Sequence, residues 1–415
     1  MLHRFHRETS RFFRIRKEML RYTFLAITAI LLSVIFFTIN SYSKEVFDEK
    51  TPVVISDDFT ITAADLTPNP DQIIVGFLPS WSIAQKAKVH PEYLDQIIYF
   101  GLGITEKGEL MKYSNENEAL VEWSYFISDT FSKMKEEARN TDTAILIAIK
   151  NFDNKSIDTL ISSPTNRTRA IRNITALVNK YGLDGVNIDF EYFTQSDFPT
   201  MKFYNQFLSD LSIELKKQNP HALLSVDINA SAVYRDNAYD IVKIGDVVDH
   251  IIVMGYDYHV PSSSYAGPVS PINAEGDKPN LTKTIASLKG RVDARKVILA
   301  IPLYGYEWQT YSKKSGSRAI PQTGALATYK RVRALIEARR DDLSISYDKL
   351  SQSPRIVYVQ NGLIKQIYYE DEKSLATKFA FISEHELGGM GLWALGYEGN
   401  YIEPWDLIKD IRTTK

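Results

Sequence analysis

The sequence predicts a (β/α)₈ TIM barrel that carries a small α+β insertion and is preceded by one transmembrane helix. Eight short apolar segments alternate with amphipathic helical patterns, which is typical of a parallel sheet, and eight strands can close a barrel. One connection near the carboxyl end is far longer than a βα unit requires. An uncharged apolar stretch lies close to the amino terminus. Doubly wound sheets show the same alternation, so the strand count alone favours a barrel only modestly.

The amino-terminal region differs in composition from the rest of the chain. Residues 1–21 contain seven basic and two acidic side chains and are predicted to be cytoplasmic. Residues 22–39 carry no charge, and this length is near the lower limit for a signal-anchor helix that crosses the membrane. The basic flank predicts that the polar linker at 40–70 and the folded domain at 71–415 lie outside the cell membrane. A cleaved signal peptide and a secreted protein are the alternative, although the residues after position 39 fit a cleavage site poorly.

Eight segments are predicted to be barrel strands because each is a short apolar run bounded by turn or helical patterns. They are Ile73–Leu78, Gln96–Leu102, Ala144–Lys150, Gly185–Phe190, Leu223–Ile228, His250–Met254, Lys296–Ile301 and Gly389–Leu392. Two helices between them each show one apolar face, formed by Ile171, Ile174, Leu177 and Val178 in the first and by Tyr204, Phe207, Leu208, Leu211 and Leu215 in the second. Gly182 follows the first of these helices, at the position where glycine commonly ends a helix.

The connection between Ile301 and Gly389 holds nearly ninety residues. We predict a small α+β insertion within it, at about residues 308–370. Its predicted elements are a helix at Ala325–Arg340 and two strands at Arg355–Gln360 and Leu363–Tyr369. The two strands are joined by Asn361-Gly362, and Asn-Gly between apolar runs is a strong hairpin signal.

Composition limits the classes of function that are open to the chain. The absence of cysteine excludes a disulfide framework, a thiolate metal site and a cysteine nucleophile. A formal net charge of −2 lacks the basic excess that is normal in nucleic-acid binding, so no nucleic-acid partner is predicted. The seven histidines show no metal-ligand spacing, and neither a metal nor another cofactor is expected. The aromatic content of 12% is a weak indication of a sugar-binding cleft.

The fourth predicted strand ends in a row of polar side chains. Because side chains alternate along a strand, Asn187, Asp189 and Glu191 point to one face and the apolar residues between them point to the other. In a barrel the polar face lines the interior, where unpaired carboxylates are costly to bury. Active sites of such barrels lie at the carboxyl ends of the strands, where this row ends. These three residues are therefore candidate site residues, and a satisfied internal hydrogen-bond network is the alternative.

This strand resembles the D-x-x-D-x-D-x-E motif of glycoside hydrolase family 18, whose final Glu is the general acid. Asp184, Asp189 and Glu191 match, while Asn187 replaces the second Asp, as in similar motifs of the spore-cortex and peptidoglycan-cleaving branch. Three later segments resemble the family's M-x-Y-D, P-x-Y-G and G-G-x-x-x-W elements in order: Met254–Tyr258, Ile301–Tyr306 and Gly388–Trp393. The third strand departs from the family, because Ile147–Asn151 stands where many members have S-x-G-G.

The resemblance implies hydrolysis of β-1,4-linked glycans that contain N-acetylglucosamine, such as peptidoglycan or a chitin-like polymer. The family uses a retaining, substrate-assisted mechanism in which the acetamido oxygen of the substrate attacks the anomeric carbon. Glu191 would serve as general acid and base, Asp189 would hold the acetamido N–H, and Tyr256 would hold the acetamido carbonyl. Asn187 is expected to donate a hydrogen bond to Asp189.

Further residues are candidates for substrate binding. The resemblance implies that Trp393 stacks under the reacting sugar and that Asp257 contacts the substrate or the acid. Trp81, Met254 and Tyr306 are expected near the cleft, and the core is the alternative for Trp81 and Met254. The competing function is a catalytically silent carbohydrate-binding protein on the same barrel, although such relatives usually lose the acid. A barrel glycosidase with another sugar specificity is a third reading.

Overall fold

A computed structural model describes residues 71–192, 198–233 and 239–413 of the chain. The predicted transmembrane segment at 22–39 lies outside these residues, together with the segments that flank it, and it stays a prediction. Within the described part of the chain, no helix is both long and apolar enough to cross a membrane.

The described residues form strands in two sheets. The strands are β1 (Ile73–Pro79), β2 (Gln96–Gly103), β3 (Ala144–Asn151), β4 (Gly185–Phe190), β5 (Leu223–Asn229), β6 (His250–Met254), β7 (Val297–Pro302), β8 (Tyr304–Gln309), β9 (Ala325–Thr328), β10 (Ser344–Asp348), β11 (Ser353–Gln360), β12 (Leu363–Tyr368) and β13 (Gly389–Trp393). Strands β1 to β7 and β13 are parallel and close a barrel in the order β1-β2-β3-β4-β5-β6-β7-β13. The predicted barrel is confirmed, and each predicted barrel strand differs from the observed one by no more than one residue at either end.

Helices separate most of the barrel strands. Those of the described residues are α1 (Ser80–Ala84), α2 (Val121–Phe126), α3 (Asp129–Arg139), α4 (Asn154–Ser162), α5 (Pro164–Tyr181), α6 (Phe198–Gln218), α7 (Ile241–Val247), α8 (Leu281–Leu288), α9 (Tyr329–Arg339), α10 (Glu372–Glu384) and α11 (Glu403–Thr413). The local sequence explains where α5 begins and ends. The Ser163 side chain accepts from the Asn166 N–H, Pro164 occupies the first turn, and Gly182 ends the helix with a left-handed φ of 58°.

A second sheet occupies the long connection between β7 and β13. Its five strands are antiparallel in the order β10-β11-β12-β8-β9. It begins at Tyr304, directly after β7 and before the predicted boundary at 308. The Asn361-Gly362 turn joins β11 to β12, and both residues have positive φ values, 53° and 75°, which a type I′ hairpin turn requires.

The predicted helix at Ala325–Arg340 is wrong for its first four residues. Ala325–Thr328 is strand β9, which pairs with β8, and the helix begins only at Tyr329. Leu326 and Ala327 point to opposite sides of this strand, and Leu326 is exposed while Ala327 is fully buried. Pairing with a distant strand therefore overrides the local helix propensity of this segment.

Strand β4 separates apolar from polar side chains, as alternation predicts. Val186, Ile188 and Phe190 are completely buried in the core between the strands and the helices. The Phe190 ring stacks on Phe207 of α6 with ring centroids 5.6 Å apart. Burying three large apolar side chains contributes on the order of 5 kcal/mol to stability, which anchors the strand and leaves its other face to the barrel interior.

Candidate active site

A cavity of about 400 Å³ lies at the carboxyl end of the barrel strands. Eight of the nine predicted site residues line it: Trp81, Asp189, Glu191, Met254, Tyr256, Asp257, Tyr306 and Trp393. They come from β1, β4, β6, β8 and β13 or from the residues that follow these strands. Most of these side chains meet because parallel barrel strands all end on the same side, and Tyr306 is added by the second sheet.

Glu191 follows the last residue of β4 at the edge of the cavity. Its backbone N–H donates to the Asn151 carbonyl at 3.1 Å, which continues the pairing of β4 with β3. Burial raises the pKa of the Glu191 carboxyl to about 7, and the negative charge of Asp257 adds to the effect. A carboxyl with this pKa holds a proton near neutral pH and can still release it, as a general acid must.

Asp189 lies deeper in the cavity and is only 3% exposed. Burial raises its pKa well above the usual range, with further contributions from the charges of Asp227 and Glu191, whereas Lys150 acts in the opposite direction. Its Oδ1 has no hydrogen-bond partner among the described residues. A buried carboxylate oxygen without a partner is costly, so this atom is suited to accept a hydrogen bond from a ligand.

Asn187 does not line the cavity. The predicted hydrogen bond from Asn187 to Asp189 is wrong. It is fully buried, and its Nδ2 donates to Ser225 Oγ at 3.0 Å and to Asp227 Oδ1 at 2.8 Å. Strand geometry explains the difference. Residues two apart on one strand are about 6–7 Å apart, whereas a neighbouring strand is about 4.8 Å away, and Asn187 pairs with Ser225 of β5. Asn187 therefore holds Asp227, which itself lines the cavity.

Asp257 is held by two tyrosines of β8, a strand of the second sheet. The hydroxyls of Tyr304 and Tyr306 both donate to Asp257 Oδ1, at 2.6 and 2.9 Å. Loss of hydration raises the pKa of the Asp257 carboxyl, and the two hydrogen bonds oppose this rise. Asp257 has a φ of 60°, a left-handed conformation that costs an aspartate less than most side chains. The second sheet thus fixes one wall of the cavity.

Trp393 ends β13 at the centre of an aromatic cluster in the cavity. Phe100 meets it edge-on with ring centroids 4.7 Å apart, and Tyr256 lies nearly parallel to it at 6.4 Å. The ring centroid of Trp81 is 6.5 Å from that of Trp393. Because its side chain is 37% exposed, Trp81 lies at the edge of the cavity and not in the core. Flat apolar rings beside carboxylates are a combination that suits a sugar, which presents both C–H faces and hydroxyl groups.

Five polar residues of this cavity were not predicted to be site residues: Lys150, Asp227, Asn229, Tyr304 and Tyr397. A signal for Asp227 was present, because Ser225, Asp227 and Asn229 alternate along β5 just as the polar residues do along β4. In the described part of the chain, no cluster of three or more acidic or histidine side chains could hold a metal ion. The predicted lack of a cofactor stays a prediction.

Curated relatives resemble this chain over much of its length. A protein of Bacillus subtilis strain 168 named as a sporulation-specific glycosylase, YdhD, is 31% identical over 266 residues, which cover 62% of this chain and 57% of YdhD. The cortical fragment-lytic enzyme of the same organism is 24% identical over 300 residues, covering 68% of this chain and 64% of that enzyme. This chain therefore spans less than two-thirds of the length of either relative.

Solved structures show the same fold. The group IV chitinase of Ostrinia furnacalis, solved with allosamidin, is 20% identical with a TM-score of 0.69, covering 82% of this chain and 98% of that one. The spore cortex-lytic enzyme SleL of Bacillus cereus is 21% identical with a TM-score of 0.63, covering 82% of this chain and 74% of that one. The sequence model of glycosyl hydrolases family 18 matches residues 73–398, which include all eight barrel strands. The chain belongs to glycosyl hydrolases family 18.

Proposed function

We propose that the chain hydrolyses β-1,4-linked glycans that contain N-acetylglucosamine, by a retaining, substrate-assisted mechanism. One observation carries the proposal: Glu191, with a pKa of about 7, shares the cavity with Asp189, whose buried Oδ1 has no partner among the described residues. The first group suits proton transfer to a leaving oxygen, and the second suits the N–H of an acetamido group. Family membership supports glycoside hydrolysis in general.

In the proposed reaction, Glu191 protonates the glycosidic oxygen while the acetamido oxygen of the substrate attacks the anomeric carbon. The bond to the leaving sugar breaks, and a cyclic oxazolinium ion forms. Asp189 accepts a hydrogen bond from the acetamido N–H and stabilises the positive charge of the ion. Tyr256 donates a hydrogen bond to the acetamido oxygen. Water then opens the ring, with Glu191 taking its proton, so the product keeps the β configuration. Trp393 supports the sugar from below.

The names of similar proteins favour two polymers that share this linkage. Some relatives are named for spore cortex and others for chitin, including the class V chitinase of Arabidopsis thaliana. The predicted signal anchor at 22–39 would place the cavity outside the cell membrane, in reach of an extracellular polymer, and cleavage after it would release a secreted enzyme.

The proposed function is tested by digestion of purified peptidoglycan and of chito-oligosaccharides with the full chain, followed by mass spectrometry. We expect new reducing ends on N-acetylated sugars in at least one of the two substrates. A protein that binds these glycans and yields no fragment from either one would instead be the silent carbohydrate-binding protein.

The pH dependence of the reaction follows from the pKa of Glu191. The acid must be protonated in the free enzyme, so kcat/KM should fall as the pH rises through about 7. Asp257→Asn keeps an oxygen for Tyr304 and Tyr306 but removes the charge that raises this pKa. We therefore expect the basic limb of the kcat/KM profile to move to lower pH in this variant. An unchanged limb would show that Asp257 does not act on the acid.

A further inference from the structure

Lys150 is a cationic side chain in a cavity wall that otherwise carries carboxylates. It lies near the end of β3 and pairs with Asp189 of β4, so both side chains point into the barrel. Four carboxylates line the same cavity: Asp189, Glu191, Asp227 and Asp257. Among the described lining residues, Lys150 alone carries a positive charge. A negatively charged group that entered this cavity would therefore find its electrostatic partner in Lys150.

The ammonium group of Lys150 is held in place by aromatic rings but donates no hydrogen bond to the described residues. It lies 5.1 Å from the ring centroid of Phe100 and 6.0 Å from that of Phe152, so two aromatic rings hold the side chain. Glu122 Oε1 is 3.7 Å away, beyond hydrogen-bond distance, and Glu122 does not line the cavity. No acceptor of the described residues lies within hydrogen-bond distance of Nζ, although the side chain is only 23% exposed. Its donors are therefore available to a ligand.

We propose that Lys150 binds a carboxylate carried by the glycan, on the sugar at or next to the reacting position. This inference rests on the proposed function and names its substrate class: a glycan with acidic sugars rather than a neutral chitin-like polymer. In peptidoglycan, the N-acetylmuramic acid residues carry a lactyl ether that ends in a carboxylate, whereas chito-oligosaccharides have no charge. Lysine suits such a group as a point charge with rotatable donors.

A structural role for Lys150 is the alternative. As the partner of Glu122 or as a counter-charge for Asp189, Lys150 would affect neutral and acidic glycans equally. The Lys150–Glu122 ion pair is weak, because the two charged groups are 3.7 Å apart and both side chains are partly exposed to solvent. The two roles differ in one respect that can be measured, namely whether the effect of Lys150 depends on charge in the ligand.

The test compares two ligands that differ only in charge. One is a peptide-free tetrasaccharide of alternating N-acetylglucosamine and N-acetylmuramic acid, and the other is the same tetrasaccharide with its carboxylates converted to methyl amides. Binding is measured by calorimetry on the full chain carrying Glu191→Gln, which prevents turnover. We expect Lys150→Met in this background to weaken binding of the acidic ligand about tenfold, as for loss of a charged hydrogen bond, and to leave the neutral ligand within about twofold.

Two further variants complete the experiment. Lys150→Arg should keep most of the preference for the acidic ligand, because it keeps the charge. Lys135→Met is the matched control, since Lys135 also lies over two aromatic rings, Phe131 and Tyr181, but on α3 outside the cavity. It should bind both ligands like the parent. Equal losses for both ligands in Lys150→Met, or no loss for either, would overturn the inference.

The outcome separates this inference from the proposed function. Binding by the Glu191→Gln chain does not depend on turnover. If the unmodified chain cleaves no glycan but Lys150→Met still discriminates by charge, the proposed function fails and the carboxylate site stands. If the unmodified chain cleaves the glycans and the variant shows no charge dependence, only the inference about Lys150 fails.

Discussion

Replacing Glu191 by glutamine is expected to lower kcat by about 10²–10⁴-fold, the usual contribution of a general acid. Glutamine has nearly the same shape but cannot donate a proton to the leaving oxygen. Binding should change little, because it depends on the aromatic cluster around Trp393 and on hydroxyl contacts. The measurements are kcat on an N-acetylglucosamine oligosaccharide and Kd for the same ligand by calorimetry.

A matched control for this variant is Glu214→Gln on the outer helix α6. There the carboxylate lies 3.7 Å from Lys217 and accepts a hydrogen bond from Gln218 at 3.4 Å. The same chemical change there should leave both kcat and Kd unaltered. Circular dichroism and the Tm of the two variants establish that each is folded. If Glu191→Gln turned over at nearly the wild-type rate, the assignment of the acid would be wrong.

Asp189→Asn is expected to lower kcat by about 10²–10³-fold, as when one group that stabilises a transition-state charge is removed. Asparagine still offers an oxygen to the acetamido N–H, so the ground-state complex is largely kept. It lacks the negative charge that would face the oxazolinium ion, and that charge matters most in a buried site. We therefore expect a large fall in kcat with a small change in KM.

Asp277→Asn makes the same substitution at a fully exposed position and should have no effect on either constant. If Asp189→Asn raised KM and left kcat unchanged, Asp189 would stabilise the bound substrate and the transition state equally. The charge stabilisation assigned to it would then be wrong.

Local sequence patterns predicted the barrel well because they depend on neighbours in the chain. Alternation along β4 correctly assigned Val186, Ile188 and Phe190 to the outer core, and Gly182 ended its helix as expected. The order in which the strands close the barrel then brought Asp189 and Trp393 into one cavity. The cluster of predicted residues thus follows from period-two alternation and from the common direction of parallel strands.

Contacts between strands were harder to predict because they depend on register. Asn187 was expected to contact Asp189, its neighbour along β4, but it lies beside Ser225 and bonds to Asp227 of β5. The polar residues of β4 and β5 can be recognised in a single sequence, but the register that sets which of them lie opposite each other cannot. The same limitation hid strand β9, whose pairing with β8 spans a loop.

The third strand departs from the family pattern at a position that lines the cavity. Lys150 stands near the end of β3, where many family members have small residues, and it faces Asp189 across the strand pair. The sequence alone left this part of the site undetermined. The register between β3 and β4 places the lysine in the cavity, where its charge can be tested separately from the acid.

The most direct test of substrate assistance is the dependence of hydrolysis on one acetyl group. Two oligosaccharides of a glycan that the chain cleaves are compared. They differ only in whether the reacting sugar carries an N-acetyl group or a free amine, and cleavage at that bond is followed by mass spectrometry. We predict cleavage of the acetylated bond only, because the acetamido oxygen is the nucleophile in the proposed mechanism. Comparable cleavage of the deacetylated bond would contradict the proposed mechanism.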